Sequence, residues 1–317
     1  MSRKIIVAAA QLGPIAKNES RSSVVARLLE LMREAAGCNC DVVVYPELAL
    51  TTFFPRWYFE NQDKIDFWFE RSMPGPETQV LFDESKKLGI GFYLGYAELA
   101  EEDGVIHHYN TSILVNKNGE IVGKYRKIHV PGHTENEPWR PFQHLEKRYF
   151  ERGNFGFPAF HATLGEKEGV FGMALCNDRR WPETYRVLSL QGVEMTFIGY
   201  NTPVHYSPVP SHNHLQAFHN HLSMQSGAYQ NGMWVVGVAK AGLEEGCALL
   251  GQSCIIAPTG EIVAMCSANR DGLATHRCDL DRCAEIRDHV FNFHQHRQPD
   301  TYKLISESKL GADTIKG

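Results

Sequence analysis

The 317-residue chain contains no run of the roughly 20 apolar residues that a membrane-spanning helix requires. Its eight cysteines form no CxxC pair, its histidines no HExxH, and no Pro/Gly/Ser-rich linker, low-complexity tract or solenoid repeat divides it. These absences argue against a helical membrane protein, a thiol–disulfide relay, a zinc peptidase and a repeat array. Blocks of like charge are also missing. The 37 acidic and 32 basic residues are interspersed, and a formal charge of −5 gives no electrostatic reason to expect nucleic acid or an anionic membrane as partner. The opening residues, Met1 to Gln11, carry an apolar run too short for a signal sequence and read as a core strand. A cytoplasmic location is therefore expected, with all eight thiols reduced. Without linkers, one domain over residues 1–305 is expected, followed by a mobile polar tail over 306–317.

Three HxH pairs stand out: His212/His214, His219/His221 and His294/His296. On a helix, positions i and i+2 point apart, so His219 and His221 cannot share an ion. No metal is expected.

What is present is a globular composition, 43% hydrophobic and 22% charged. Apolar runs predict strands at Lys4–Ala10, Asp41–Tyr45, Ile90–Tyr96, Val170–Cys176, Met195–Gly199, Val235–Ala239, Gly251–Ala257, Ile262–Cys266 and Leu273–Cys278. Helical periodicity predicts Ser22–Ala36, capped by Ser20 or Ser22, then Gln79–Leu88, Glu183–Gln191, Leu215–Gln230 and Leu280–Val290. A hairpin is expected from Thr111–Val115 to Glu120–Tyr125 across Asn116-Lys-Asn-Gly119. Alternating helices and strands interrupted by hairpins predict an α/β fold of two mixed β-sheets with helices outside.

The most informative residue is Cys176. An apolar strand, Val170 to Leu175, ends on it, and Asn177-Asp178-Arg179-Arg180-Trp181-Pro182 turns the chain at once. A thiol on such a rim is placed to react, provided a base takes its proton and a cation or dipole holds the oxyanion its attack creates. Two other strand ends supply those groups. Glu47 follows Val42-Val-Val-Tyr-Pro, where a carboxylate between apolar stretches suits a base of raised pKa. Lys127 closes Lys124-Tyr-Arg-Lys127 against Ile128, whereas Lys124 and Arg126 read as solvated cations. Of Arg179 and Arg180, one is expected to hold the turn through Glu183 or Asp178 and the other to grip a ligand carboxylate, because neighbouring side chains diverge. Asn177 offers its backbone N–H to the oxyanion. Asn201 and Thr202, at the next strand end, offer polar groups for binding a ligand.

The order Glu47, Lys127, Cys176, each at a strand end, resembles the nitrilase superfamily of carbon–nitrogen hydrolases. The resemblance runs from Ala8-Ala-Ala-Gln11 through Tyr45-Pro-Glu47-Leu and Cys176-Asn-Asp-Arg-Arg-Trp-Pro-Glu183 to Ala257-Pro-Thr-Gly-Glu261-Ile. It implies a four-layer α-β-β-α sandwich, a second glutamate at Glu146 and assembly into homodimers or homotetramers. Leu48 to Trp57, Arg140 to Phe150 and Gly199 to Pro203 are most similar to the branch acting on N-carbamoyl-D-amino acids. That branch implies release of a D-amino acid, ammonia and carbon dioxide through a Cys176 acyl-enzyme, with no cofactor. Alternatives are another amidase, a nitrilase or a β-ureidopropionase of the superfamily, or a non-catalytic redox-sensing or binding protein using Cys176 as its thiol.

Overall fold

A computed structural model describes residues 2–309. Strands β1 (Lys4–Gln11), β2 (Val42–Val44), β3 (Gly91–Glu102), β4 (Val105–Val115) and β5 (Ile121–Arg126) lie in one sheet. Strands β6 (Phe160–Leu164), β7 (Lys167–Leu175), β8 (Met195–Tyr200) and β9 (Trp234–Ala239) lie in a second. A separate hairpin, β10 (Ala241–Glu244) and β11 (Cys247–Leu250), follows. Then β12 (Cys254–Ile256) and β13 (Ile262–Met265) complete the second sheet, and β14 (Gly272–Asp279) returns to edge the first.

The sheets share one plan. Each has six strands, ordered β14-β1-β2-β3-β4-β5 and β13-β12-β9-β8-β7-β6. The middle strands run parallel and the outer ones antiparallel. Parallel strands are covered on both faces, which is why β2, β8 and β9 are buried at every residue and almost wholly apolar. In β1, Val7 and Ala9 face the second sheet, while Ala8 and Ala10 face the helices Arg21–Gly37 and Gln79–Leu88. On the far side, helices Pro182–Leu190 and Gln216–Asn231 cover Ala174, Ile198, Val235 and Ala239. Each fully buried Val, Leu, Ile, Met or Phe side chain contributes about 1.5–3 kcal/mol, and the alanines less. The result is the expected α-β-β-α sandwich.

Local departures have local causes. Helix Arg21–Gly37 is capped by Ser20, whose hydroxyl accepts the Ser23 N–H at 3.2 Å. The helix expected at Leu280–Val290 is a short α-turn, Arg282–Ala284, widened into π-helix over Glu285–Val290. Strand β6 and the β10–β11 hairpin were not expected. Both are short, and their alternate residues are exposed, so neither presents a long apolar signal. Arg126 is not solvated. It is 2% exposed and pairs with Glu98 at 2.8 Å, an acid that also takes Lys124. Of the expected mobile tail, residues 306 and 307 close the short helix Lys303–Glu307, and 310–317 lie outside the described residues. No helix among the described residues is long and apolar enough to cross a membrane.

Candidate active site

The C-terminal ends of β2, β5, β7 and β8 converge at one edge of the sandwich and carry Glu47, Lys127, Cys176 and Asn201. The two sheets grip the Glu47 backbone from either side. A Cβ added to Gly95 of β3 would lie 2.8 Å from Glu47 Cα, and one added to Gly199 of β8 would lie 2.5 Å from Glu47 N. Only glycine lets both strands come so close. Tyr93 ties the sheets together just beneath. Its hydroxyl donates to the Ala174 carbonyl and accepts the Gly199 N–H, each at 3.1 Å.

Cys176 follows the last residue of β7 and starts the helical turn Cys176–Arg180. Its φ is +46°, a conformation that L-residues adopt at a cost. Asp178 fixes the turn from below. It accepts the Leu175 N–H at 3.0 Å, the Tyr125 hydroxyl at 2.6 Å and the His129 N–H at 2.9 Å. The side chain of Arg179 clasps the same turn, donating to the Cys176 carbonyl at 2.6 Å, Thr202 Oγ1 at 2.7 Å and Asn220 Oδ1 at 2.8 Å. So Arg179 does hold the turn, but not through Glu183 or Asp178. Asp178 is occupied by Tyr125 and His129 on the other side.

A carboxylate oxygen of Glu47, one of Glu146 and the Cys176 sulfur all lie within 4.8 Å of one another. Lys127 stands among them. Its Nζ donates to Glu47 Oε1 at 2.8 Å and Glu146 Oε2 at 2.5 Å, and all three side chains are fully buried. Two carboxylates and a thiol could ligate a metal, but the ammonium already occupies the centre of this set and would repel a cation. Burial pushes the Cys176 thiol up to about 11, with Glu47 adding to the effect against Lys127 and Arg179. The thiol is therefore protonated at neutral pH and needs a base. Burial also raises the Glu47 carboxyl, reinforced by Glu146 and opposed by Lys127. Burial works the same way on Glu146, but Lys127 and a 2.7 Å bond from His144 outweigh it and hold that carboxyl at about 2. Two neighbouring acids are thus driven apart, a pattern that separates proton-transfer roles.

Sequence reasoning missed Asn110, whose Nδ2 donates to Glu47 Oε1 at 2.8 Å. A readable signal was there: Asn110-Thr111-Ser112 is a polar run leading straight into the apolar Ile113-Leu-Val115, and all three residues are fully buried. Asn201 also serves Glu47, giving its backbone N–H to Oε2 at 3.1 Å and its side-chain amide to the Glu47 carbonyl at 2.8 Å. Thr202 is engaged by Arg179, and the Asn177 amide donates to the His129 carbonyl at 3.2 Å.

Above these groups opens a cavity of about 430 Å³ walled by segments 131–144 and 201–208. Cys176, Asn177, Arg180, Asn201 and Thr202 line it; Glu47 and Glu146 lie beneath it, within 4.8 Å of the Cys176 sulfur, and no Asp or Glu among the described residues is on its wall. Arg140, also on the wall, is paired with Glu137, whereas Arg180 makes no ion pair among the described residues. Its nearest polar partner is Gln216 Oε1 at 3.5 Å, and burial beside Arg179 lowers its pKa to about 10. A larger groove of about 630 Å³ lies between helix Pro182–Leu190 and residues 291–306, and contains none of the reactive side chains.

Comparison with known proteins agrees with this fold. The chain is 29% identical to an N-carbamoylputrescine amidase of Oryza sativa subsp. japonica over 95% of its own length and 94% of that protein's. It is 28% identical to a nitrilase of Pyrococcus abyssi over 79% and 81% of the two chains. Among solved structures, a carbon–nitrogen hydrolase from Helicobacter pylori G27 superposes with a TM-score of 0.81 at 20% identity, covering 97% of this chain and 99% of that one. The carbon–nitrogen hydrolase family matches residues 6–288, and the chain belongs to it.

Proposed function

We propose that the chain hydrolyses the ureido group of N-carbamoyl-D-amino acids, with Cys176 as nucleophile, Glu47 as general base, and Lys127 and the Asn177 N–H as oxyanion donors. The observation that carries the substrate class is Arg180. It is a half-buried cation without an acidic partner among the described residues, on a cavity wall free of carboxylates. A substrate carboxylate supplies the missing charge and suits bidentate capture by a guanidinium.

Glu47 takes the thiol proton as sulfur attacks the ureido carbon. Two nitrogens donate into that carbonyl and make it a poor electrophile, so oxyanion stabilisation, about 3–4 kcal/mol per donor at comparable sites, decides the rate. Lys127 approaches the oxyanion as a full charge. The Asn177 N–H, in the first turn after β7, has no acceptor within that turn. Glu47 returns the proton to the departing nitrogen, and ammonia leaves a carbamoyl thioester on Cys176. Glu47 then deprotonates water, which displaces the thiolate. The released N-carboxy amino acid loses carbon dioxide. Glu146, ionised and bonded to Lys127, keeps the ammonium in place. The D preference is supported by the sequence resemblance. The single domain over 1–305, the homodimer or homotetramer and the cytoplasmic location belong to the same proposal, and sedimentation velocity tests the assembly.

The similarity to N-carbamoylputrescine amidases favours a second reading, in which the ureido group is the same but the far end of the substrate is an ammonium. Opposed charges at 4 Å attract by about 4 kcal/mol at the effective dielectric of a partly buried site, and like charges repel by as much. Arg180 therefore weighs against that substrate. Ammonia release from N-carbamoyl-D- and L-amino acids, N-carbamoylputrescine, simple amides and nitriles separates the possibilities. Turnover confined to uncharged amides would overturn the proposal.

A further inference from the structure

A second buried ion cluster borders the cavity, and the chemistry above makes no use of it. Glu244, at the end of β10, is fully buried. It bonds Lys240 Nζ at 2.9 Å and Arg56 at 3.1 Å. Its remaining bonds are to the backbone N–H groups of Phe53, at 2.9 Å, and Ile15, at 3.0 Å. Lys240 is fully buried too, and its third contact is the neutral Thr51 carbonyl at 3.0 Å. One carboxylate thus serves two cations, and neither cation bonds another carboxylate among the described residues. A buried charge is costly unless an opposite charge accompanies it; within its own hydrogen bonds the cluster is one anion short, and the further acid acting on Lys240 is Glu47, through space rather than by a bond.

Arg56 is where this excess reaches the cavity. Its side chain is 6% exposed, and it lines the same space as Arg180 and Cys176. The bonds to Glu244 use only one terminal nitrogen, which leaves the rest of the guanidinium fork without a carboxylate among the described residues.

We infer that Arg56 is a second cationic contact for the substrate's carboxylate, kept under-neutralised because Lys240 shares Glu244 with it. The inference rests on the acidic ureido substrate proposed above. Lys240 and Glu244 are positioning residues. They hold the segment Thr51–Arg56 against the cavity and set the charge that Arg56 presents.

The test compares N-carbamoyl-D-phenylalanine with N-carbamoyl-2-phenylethylamine, which keeps the side chain and ureido group and lacks the carboxylate. Ammonia release gives kcat/KM for both. Arg56→Met is expected to lower the acid-to-neutral ratio about tenfold, chiefly through KM for the acid. Arg56→Lys retains most of the ratio. Lys240→Met gives Glu244 wholly to Arg56 and is expected to lower the ratio by about threefold to fivefold. If Arg56→Met does not fold, Lys240→Met and Arg56→Lys still decide. Equal losses on both substrates, with the ratio unchanged, would reduce the cluster to a structural brace. A wild-type enzyme that prefers the neutral compound would instead overturn the proposed substrate class.

Discussion

The two buried ion clusters beside the cavity are opposite in charge balance. In one, Lys127 lies between Glu47 and Glu146; in the other, Glu244 lies between Lys240 and Arg56. Both are removed from water, so each excess charge acts at low dielectric. The acidic cluster uses its excess to keep one carboxylate basic beside a protonated thiol. The cationic cluster has no nucleophile among its members and places its excess where a substrate anion would lie. Similar residue types therefore do different work, according to which sign is in surplus.

The largest effect is expected from removing the base. Glu47→Gln keeps the shape of the acidic cluster but should lower kcat by about 10³–10⁴-fold, measured under substrate saturation. If kcat fell as far with Glu244→Gln, the division of labour between the clusters would be lost. Glu244→Ala instead leaves two buried cations unaccompanied and should cost about 3–5 kcal/mol of stability, read from urea unfolding. Next comes Gly199→Ala, whose Cβ would press on Glu47 N. A displaced base on an intact sheet should lower kcat by about 10²-fold, with the melting temperature checked alongside.

The smallest effect is a shift in pH. A Glu47 acting as the proposed base must be ionised, so the rate is expected to rise with pH through its raised pKa. Asn110 donates to the ionised form and so holds that pKa down. Asn110→Ala should move the acid limb of the pH–kcat/KM profile upward by about one unit. A downward shift would show that Glu47 is not the group being titrated.

The grouping of Glu47, Lys127 and Cys176 was legible because strand ends are. Apolar runs stop at Tyr45 and Leu175, and the second strand of the Asn116–Gly119 hairpin stops at Arg126; Glu47, Cys176 and Lys127 follow within two residues. The two sheets could be expected because hairpins interrupt the helix–strand alternation. Glu146 was reached only through the family resemblance. Its segment is dense in charges, and nothing local distinguishes a buried acid from a solvated one. The cationic cluster was not legible at all. Arg56 and Glu244 are separated by most of the chain and meet only when the β10–β11 hairpin packs on the loop after β2. Arg126 shows the same limit in reverse, since a cation between Tyr125 and Lys127 looks exposed until its acid, Glu98, is found on β3, two strands away. Pairing across strands sets the burial of charged groups, and no single segment records it.

The central claim is that a base-activated thiol operates under a cavity that selects anions. Its most direct test is competition between N-carbamoyl-D-phenylalanine and N-carbamoylputrescine in one reaction at neutral pH and low salt, with Cys176→Ala as the blank. The expected result is consumption of the acid first, with a kcat/KM advantage on the order of a hundredfold that shrinks as salt is added. Preferential consumption of N-carbamoylputrescine would contradict it.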